Sequence, residues 1–343
     1  MMIVRPATPA DLGGLKALAE SADTGMTTVP TAEKTIMTRI ERSVAAVAGT
    51  GRARAEDTFF FVTEKDGAII GMSTIFPSLG EDRPFYSYRI GHIAKSAPEL
   101  DIEAQSDILI LCNDFHGYDE IATLLVSEKA RGSGAGRLTS LSRFLFMKSI
   151  EERLSGKVMA EIRGRFLEDG SCPFWDAIAS KFFKMSFDEA DRRSAHDFRF
   201  IADLMPKYPI YTEFLPTDVR ENLGTPHHLS GTAMKMLESE GFEFTRCIDI
   251  FDGGPSIEAP LSRIRTVASS ETAETTIDDN AQADHGERWL AANPAVGRFC
   301  ATVLHRGPHE GQLKLTSEEA KGLGLEPGET VVASPMRTQR DEK

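Results

Sequence analysis

The chain has 343 residues, 41% hydrophobic and 27% charged, a globular composition that suits one large domain with a small one, or two domains. A formal net charge of −13 excludes nonspecific attraction to nucleic acid or anionic membranes, and no apolar run approaches membrane-spanning length. Four scattered cysteines (Cys112, Cys172, Cys247, Cys300) form no CxxC pair, and an N-terminus charged at Arg5 and Asp11 has no signal-peptide core, so a reduced, cytoplasmic protein is expected.

Met2-Ile3-Val4-Arg5 reads as a strand ended by Pro6. Thr8 or Asp11 can cap a following helix whose apolar face is Leu12, Leu15, Leu18 and Ala19. A second helix over about 32–47 carries Ile36, Ile40, Val44 and Val47 at helical spacing and breaks at Gly49-Thr50-Gly51. Runs 58–63 and 69–76 flank Asp66-Gly67, a strong hairpin signal. Further strands are expected near 86–93 and 107–111.

Residues 118–150 concentrate the chemistry. The β-branched apolar run 121–126 suits a buried strand, and Leu138, Leu141, Phe144 and Leu145 form one helical face. Between them lies Arg131-Gly132-Ser133-Gly134-Ala135-Gly136. Glycines allow a sharp turn and close approach of backbone to a ligand. The first amides of a helix have no internal partner and sit at the positive end of its dipole, so such a loop suits a pyrophosphate. Arg131 adds a forked cation. A Walker loop would need GK[ST], but Gly136 is followed by Arg137-Leu138; in a G-x-G-x-x-G reading the third glycine is misplaced. What remains is R-x-x-G-x-G, which resembles the acyl-CoA loop of the GNAT acyltransferase superfamily.

A strand over 157–163 follows the helix, so the two strands should lie parallel through a right-handed crossover. The order of strand, two helices, antiparallel strands, phosphate loop, helix and strand also resembles the GNAT fold. The expected class is therefore mixed α/β, of α+β type, with a largely antiparallel sheet flanked by helices. Helical sequence follows Pro173, and another helix runs from Gly231 to a Gly241 C-cap before a strand over 242–251. The acidic stretch 269–287 reads as a mobile excursion, and short strands near 298–304, 312–315 and 330–333 suggest a small β-barrel. The expected division is 1–256 for an acyltransferase body and 257–343 for a β-rich C-terminal domain.

Five longer stretches resemble one family within that superfamily: YSYRIGHIAKSAPELDI (86–102), LCNDFHGYDEIATLL (111–125), AEIRGRFLEDGSCPFWDAIASKFFKMSF (160–187), FIADLMPKYPIYTEFLP (200–216) and FEFTRCIDIFDGGPSIEA (242–259). They are similar to the arginine N-succinyltransferases, over Met1 to about Ala259. The resemblance implies transfer of a succinyl group from succinyl-CoA to the α-amine of L-arginine, the first step of arginine degradation by the succinyl route. It also implies a homo-oligomer, or a hetero-oligomer with a paralogous subunit. Ornithine or another amine as acceptor, or a non-catalytic partner subunit, stands as the alternative.

In that family an acid/base histidine precedes the helix ending in E-G-F. Counting back from Glu240-Gly241-Phe242 places it on His227 of Pro226-His227-His228, with His228 its rival. A succinyl-CoA contact of the family falls on Leu125 or Val126, where a backbone N–H near the strand end can polarise the thioester carbonyl. A guanidinium substrate needs carboxylates; Asp114, Glu120, Glu161 and Asp176 lie in the family-like stretches, and Arg163 suits a carboxylate. Cys172 lacks a nucleophile's context, and direct attack by the amine needs no acyl-enzyme. His92, His116 and His196 are isolated, so no metal is expected.

Overall fold

The computed structural model describes residues 1–22, 26, 28–51, 53–194, 199–283 and 287–336; His196 lies outside them. Strands β1 (Met2–Pro6), β2 (Phe59–Lys65), β3 (Ala68–Phe76), β4 (Ser87–Ala97) and β5 (Ile102–Cys112) are followed by β6 (Asp119–Val126), β7 (Lys157–Glu161), β8 (Ile210–Tyr211), β9 (Glu243–Asp249) and β10 (Pro255–Pro260). The C-terminal strands are β11 (Glu271–Ile277), β12 (Trp289–Asn293), β13 (Cys300–Leu304), β14 (Gln312–Leu315) and β15 (Thr330–Pro335). They form one open sheet in the order β14-β11-β15-β12-β13-β1-β2-β3-β6-β7-β10-β9-β4-β5-β8. Among the described residues only β6–β7 and β11–β14 pair in parallel, so the sheet is mostly antiparallel, as expected.

Alternation along β2 shows how the layers are built. Phe59 and Phe61 face helix α3 (Ala135–Ser149), while Phe60 and Val62 face α1 (Leu12–Ala19) and α2 (Glu33–Ala48). Both faces are covered, so the strand is apolar throughout. On the α3 side Leu138, Leu141, Phe144 and Leu145 are buried, as their spacing predicts. On the other side Leu15, Leu18, Ile36 and Ile40 are buried, but Val44 is exposed. The helical sequence after Pro173 splits into Pro173–Ala177 and Ala179–Phe183, because Ile178 leaves the helical region at φ −121° and ψ −76°.

Two expectations for the C-terminal part are corrected. Residues 269–287 do not form a mobile excursion throughout: Glu271–Ile277 is β11, held between β15 and β14. Its buried positions, Ala273 and Thr275, are small, so the period-two pattern carries little hydrophobic signal. Nor do these strands close a barrel. They continue the main sheet through β13 and β1, where Val4 faces Ala301. Phe299 packs against Phe61 and Phe146 at ring-centroid distances of 6.1 and 5.0 Å, so the C-terminal strands and α3 share one core. The expected boundary at 256/257 also falls inside β10, which pairs with β7 and β9.

A buried ion pair ties the two parts. Glu240 is 1% exposed; its carboxylate accepts from Arg265 Nε at 3.1 Å and from the Thr266 amide at 2.7 Å, and Arg265 Nη1 donates to the Pro335 carbonyl at 2.8 Å. Removing one partner strands the other. Glu240→Ala is expected to cost about 3 kcal/mol of stability, read by urea unfolding; a loss under about 0.5 kcal/mol, the range of a surface change, would contradict this account.

Candidate active site

β6 and β7 start as neighbours and then part. Only Asp119↔Val158 and Glu120↔Met159 are paired, although β6 continues to Val126. A bulge in β6 marks the parting: opposite β3, Thr74 pairs with Ala122 but Met72 pairs with Leu125, and between them Thr123 takes φ +56°. A β-branched residue rarely adopts that conformation, so its surroundings must hold it. The Thr123 hydroxyl donates to the Thr28 carbonyl at 3.1 Å, its amide donates to Thr28 Oγ1 at 3.2 Å, and Arg39 Nη1 donates to the same Thr28 carbonyl at 2.8 Å.

The gap opens into a cleft of about 1150 Å³. Of the loop and strand residues expected there, Leu125, Val126, Arg131, Gly132 and Gly136 line the cleft, while Ser133, Gly134 and Ala135 do not. Gly132 and Gly134 take φ of +78° and +88°, conformations that an L side chain resists. Ser133 Oγ donates to the Ala130 carbonyl at 2.6 Å, which fixes the turn. Ala135 opens α3, and the first bond of the helix ladder runs from the Leu138 amide to the Gly134 carbonyl at 3.0 Å. The amide of Gly136 therefore lies outside that ladder, and a Cβ at Gly136 would meet no atom within 4 Å. Arg131 is half-exposed and 3.7 Å from Glu128, a weak surface pair that leaves it available to a ligand. Sequence reasoning missed Arg288: its Nη2 lies 3.3 Å from where a Gly134 Cβ would stand, which brings a C-terminal cation to the loop. Nothing local in the sequence signals that approach.

The other end of the cleft is acidic. Glu120 and Glu161 line it with Asp249 and Asp252, two residues the sequence reading did not single out. Asp249 Oδ1 accepts from the amides of Phe251 and Asp252, each at 2.7 Å. Asp252 accepts from the Gly164 and Gly254 amides, each at 2.8 Å. Glycine is required there: a Cβ at Gly164 would lie 2.3 Å from the Asp252 carbonyl oxygen, and one at Gly254 would lie 2.1 Å from that of Ile162. The D-G-G turn was a visible signal for this crossing. Glu161 Oε1 is buried without a hydrogen-bond partner. Burial first, then mutual repulsion, pushes Glu161 and Asp252 well above the usual carboxylate range, and burial also raises Asp249. Burial pushes Glu120 up to about 7, against the pull of Arg83 and Arg39. A cation entering here would relieve the repulsion.

The other expected residues divide. Arg163 lines the cleft with its guanidinium 4.7 Å from the Phe166 ring centre. His227 is buried just behind the wall: its amide donates to the Arg163 carbonyl at 2.8 Å, and its Nδ1 accepts from the Leu229 amide at 3.3 Å. His228 is exposed, with its ring 4.2 Å from that of His227. Asp114 is not in the cleft. Arg89 clamps it with bonds of 2.7 and 2.6 Å on the outside of the sheet, where its carboxylate and the thiols of Cys112 and Cys247 lie within 4.8 Å of one another. Asp176 is exposed and also outside the cleft-lining residues. Both acids lie close in sequence to cleft residues, but strand and helix direction carry them away. Cys172 is buried with its thiol pushed up to about 12 by desolvation, an inert environment.

Glu120 gives a pH signature. Its carboxyl rises from 4.5 to about 7 on folding, so the folded state binds the proton more tightly. That contribution is fully present below about 4.5 and is lost as pH rises through about 7. Glu120→Gln should remove about 3 kcal/mol of pH-dependent stability across this window, measured by urea unfolding at a series of pH values. A variant with the wild-type pH slope would show that Glu120 titrates normally.

Among the described residues no helix is long and apolar enough to cross a membrane. Residues 2–266 match the family described as arginine N-succinyltransferase beta subunit, and residues 272–335 match the C-terminal domain of that subunit. The arginine N-succinyltransferase of Enterobacter sp. (strain 638) is 36% identical over 334 residues, 96% of either chain. That of Escherichia coli O6:H1 is 35% identical over the same share. A solved structure, the arginine/ornithine succinyltransferase subunit AI from Pseudomonas aeruginosa, is 32% identical with a TM-score of 0.88, covering 98% of this chain and 99% of that one. The chain belongs to the arginine N-succinyltransferase beta subunit family, a family of acyltransferases.

Proposed function

We propose that this chain transfers the succinyl group of succinyl-CoA to the α-amine of L-arginine. The observation that supports this reading is one cleft lined both by residues of the glycine loop and by the buried acids Glu120, Glu161, Asp249 and Asp252, of which Glu161 Oε1 has no hydrogen-bond partner. The loop amides, Arg131 and Arg288 would hold the CoA phosphates. The pantetheine arm would run between the parted strands along Leu125 and Val126, whose backbone supplies the hydrogen bonds that β7 no longer takes. A backbone N–H of this segment would stabilise the oxyanion as the neutral amine attacks the thioester carbonyl. Collapse of the tetrahedral intermediate breaks the C–S bond; the nitrogen loses its proton and the CoA thiolate gains one.

Glu161, with Asp249 and Asp252, would take the guanidinium, and Arg163 the α-carboxylate of the acceptor. For the proton transfers His227 is the family-derived group. Because its Nδ1 accepts the Leu229 amide, the ring hydrogen sits on Nε2 and would hydrogen-bond the departing sulfur, while the proton the thiolate gains is the one the amine gives up. Glu120 is favoured as the proton acceptor: it lines the cleft where β6 and β7 part and changes charge at about 7.

The first test is release of free CoA thiol by the purified chain alone, with succinyl-CoA or acetyl-CoA against arginine, ornithine and lysine. Turnover that requires succinyl-CoA and arginine supports the reading. Tight CoA binding without turnover would instead point to a non-catalytic subunit that needs a paralogue. His227→Ala should lower turnover by about 100-fold, more than His228→Ala, while the reverse order would move the role to His228. Gly136→Val should fold and lose CoA affinity by more than tenfold, because its side chain would occupy ligand space; unchanged affinity would refute the loop assignment.

A further inference from the structure

Arg143 stands two turns into α3 and is 2% exposed. Its Nε donates to the Ser140 carbonyl at 3.1 Å, Nη2 to Ser140 Oγ at 2.9 Å and Nη1 to the Ala122 carbonyl at 3.2 Å. A guanidinium has five N–H donors, so one N–H on each terminal nitrogen remains unused. No carboxylate lies within ion-pair distance of Arg143 among the described residues; Glu120 acts on it only through space. A buried, unpaired cation is strongly disfavoured unless a ligand completes it. The side chain lines the cleft, so a ligand can reach it.

Its position tells donor side from acceptor side. Arg143 shares α3 with the phosphate loop and holds a carbonyl of β6 that β7 no longer reaches. Of the acids, Glu120 shares β6 with the carbonyl that Arg143 holds, whereas Glu161, Asp249 and Asp252 belong to β7, β9 and the turn before β10. We propose that Arg143 is a carboxylate receptor, and that the carboxylate it takes is the distal one of a dicarboxylic acyl group carried on CoA. This rests on the acyl-transfer reading above and adds the residue that would separate succinyl-CoA from uncharged acyl donors. The fork of a guanidinium matches a carboxylate with two parallel bonds, and its two unused N–H groups are the ones on the terminal nitrogens.

The experiment compares equilibrium binding of CoA, succinyl-CoA and butyryl-CoA, the last similar in length but without the carboxylate, with the amine absent. Wild type should prefer succinyl-CoA over butyryl-CoA by about tenfold or more. Arg143→Met should weaken succinyl-CoA by about 10- to 100-fold and leave CoA and butyryl-CoA within about twofold, with Arg143→Lys intermediate. An equal loss for all three ligands in Arg143→Met would mark a structural role and overturn the proposal. Should that variant fail to fold, the wild-type preference decides, and its absence overturns the proposal. Turnover of arginine against agmatine separates the two carboxylate sources: a change in that ratio with the succinyl preference intact would assign Arg143 to the acceptor and overturn the donor assignment. Wild type that discriminates the two thioesters but turns over no amine would leave Arg143 standing and sink the arginine acceptor. Wild type that binds no CoA compound would remove both.

Discussion

The site depends on one broken pairing. Two parallel strands would normally satisfy each other along their whole shared length, but β6 and β7 keep only the pairs at Asp119 and Glu120. Every later backbone group of β6 on that side needs another partner, since buried backbone polar groups are rarely left unmade. The protein answers locally. Arg143 takes the Ala122 carbonyl, and Thr28 takes the Thr123 amide. What lies beyond, along Leu124 to Val126, faces the cleft. The opening between β6 and β7 is thus a hydrogen-bonding deficit, and the strained φ at Thr123 marks where it begins.

Burial without pairing is the second theme. Ordinary cores neutralise buried charge by ion pairs, as Glu240 and Arg265 do here. The cleft instead keeps Arg143 on one side and Glu161, Asp249 and Asp252 on the other, with altered proton affinities on each. Burial lowers Arg143 to about 9 and raises the acids. A buried cation on one side and acids whose charged form burial disfavours on the other leave each end short of an opposite charge. A ligand pair with matching charges, an anionic acyl donor and a cationic acceptor, would relieve both ends at once.

Much of the framework was legible in the sequence. Period-two and helical spacing located β1 to β3, α1 to α3 and the strands on either side of the loop, because there burial is one-sided or complete and the residues are large. Strand β11 was not legible: Ala273 and Thr275 carry its burial, and exposed glutamates surround them. The turn of the glycine loop was legible because Gly132 and Gly134 take positive φ, a local requirement. Glu120 and Glu161, acids set among apolar strand residues in the sequence, do line the cleft. Asp114 and Asp176 had the same local look and proved peripheral, since only the three-dimensional path decides which face an acid shares. Arg143 was passed over although it left a visible trace, an arginine amid Leu138, Leu141, Phe144 and Leu145 on the buried helix, held there by Ser140 one turn back.

Arg288 shows what local reading cannot reach. It precedes β12, more than a hundred residues after Gly134, and yet its guanidinium meets the loop. That contact follows from the C-terminal strands extending the sheet beside β1 and sharing Phe299 with α3. The helix is then fixed from two sides, by β6 through Arg143 and by the C-terminal strands through Phe146 and Phe299. A loop at the N-terminus of a helix is only as well placed as the helix itself. The C-terminal strands therefore act on the site in two ways, by holding α3 and by carrying a cation to its first turn.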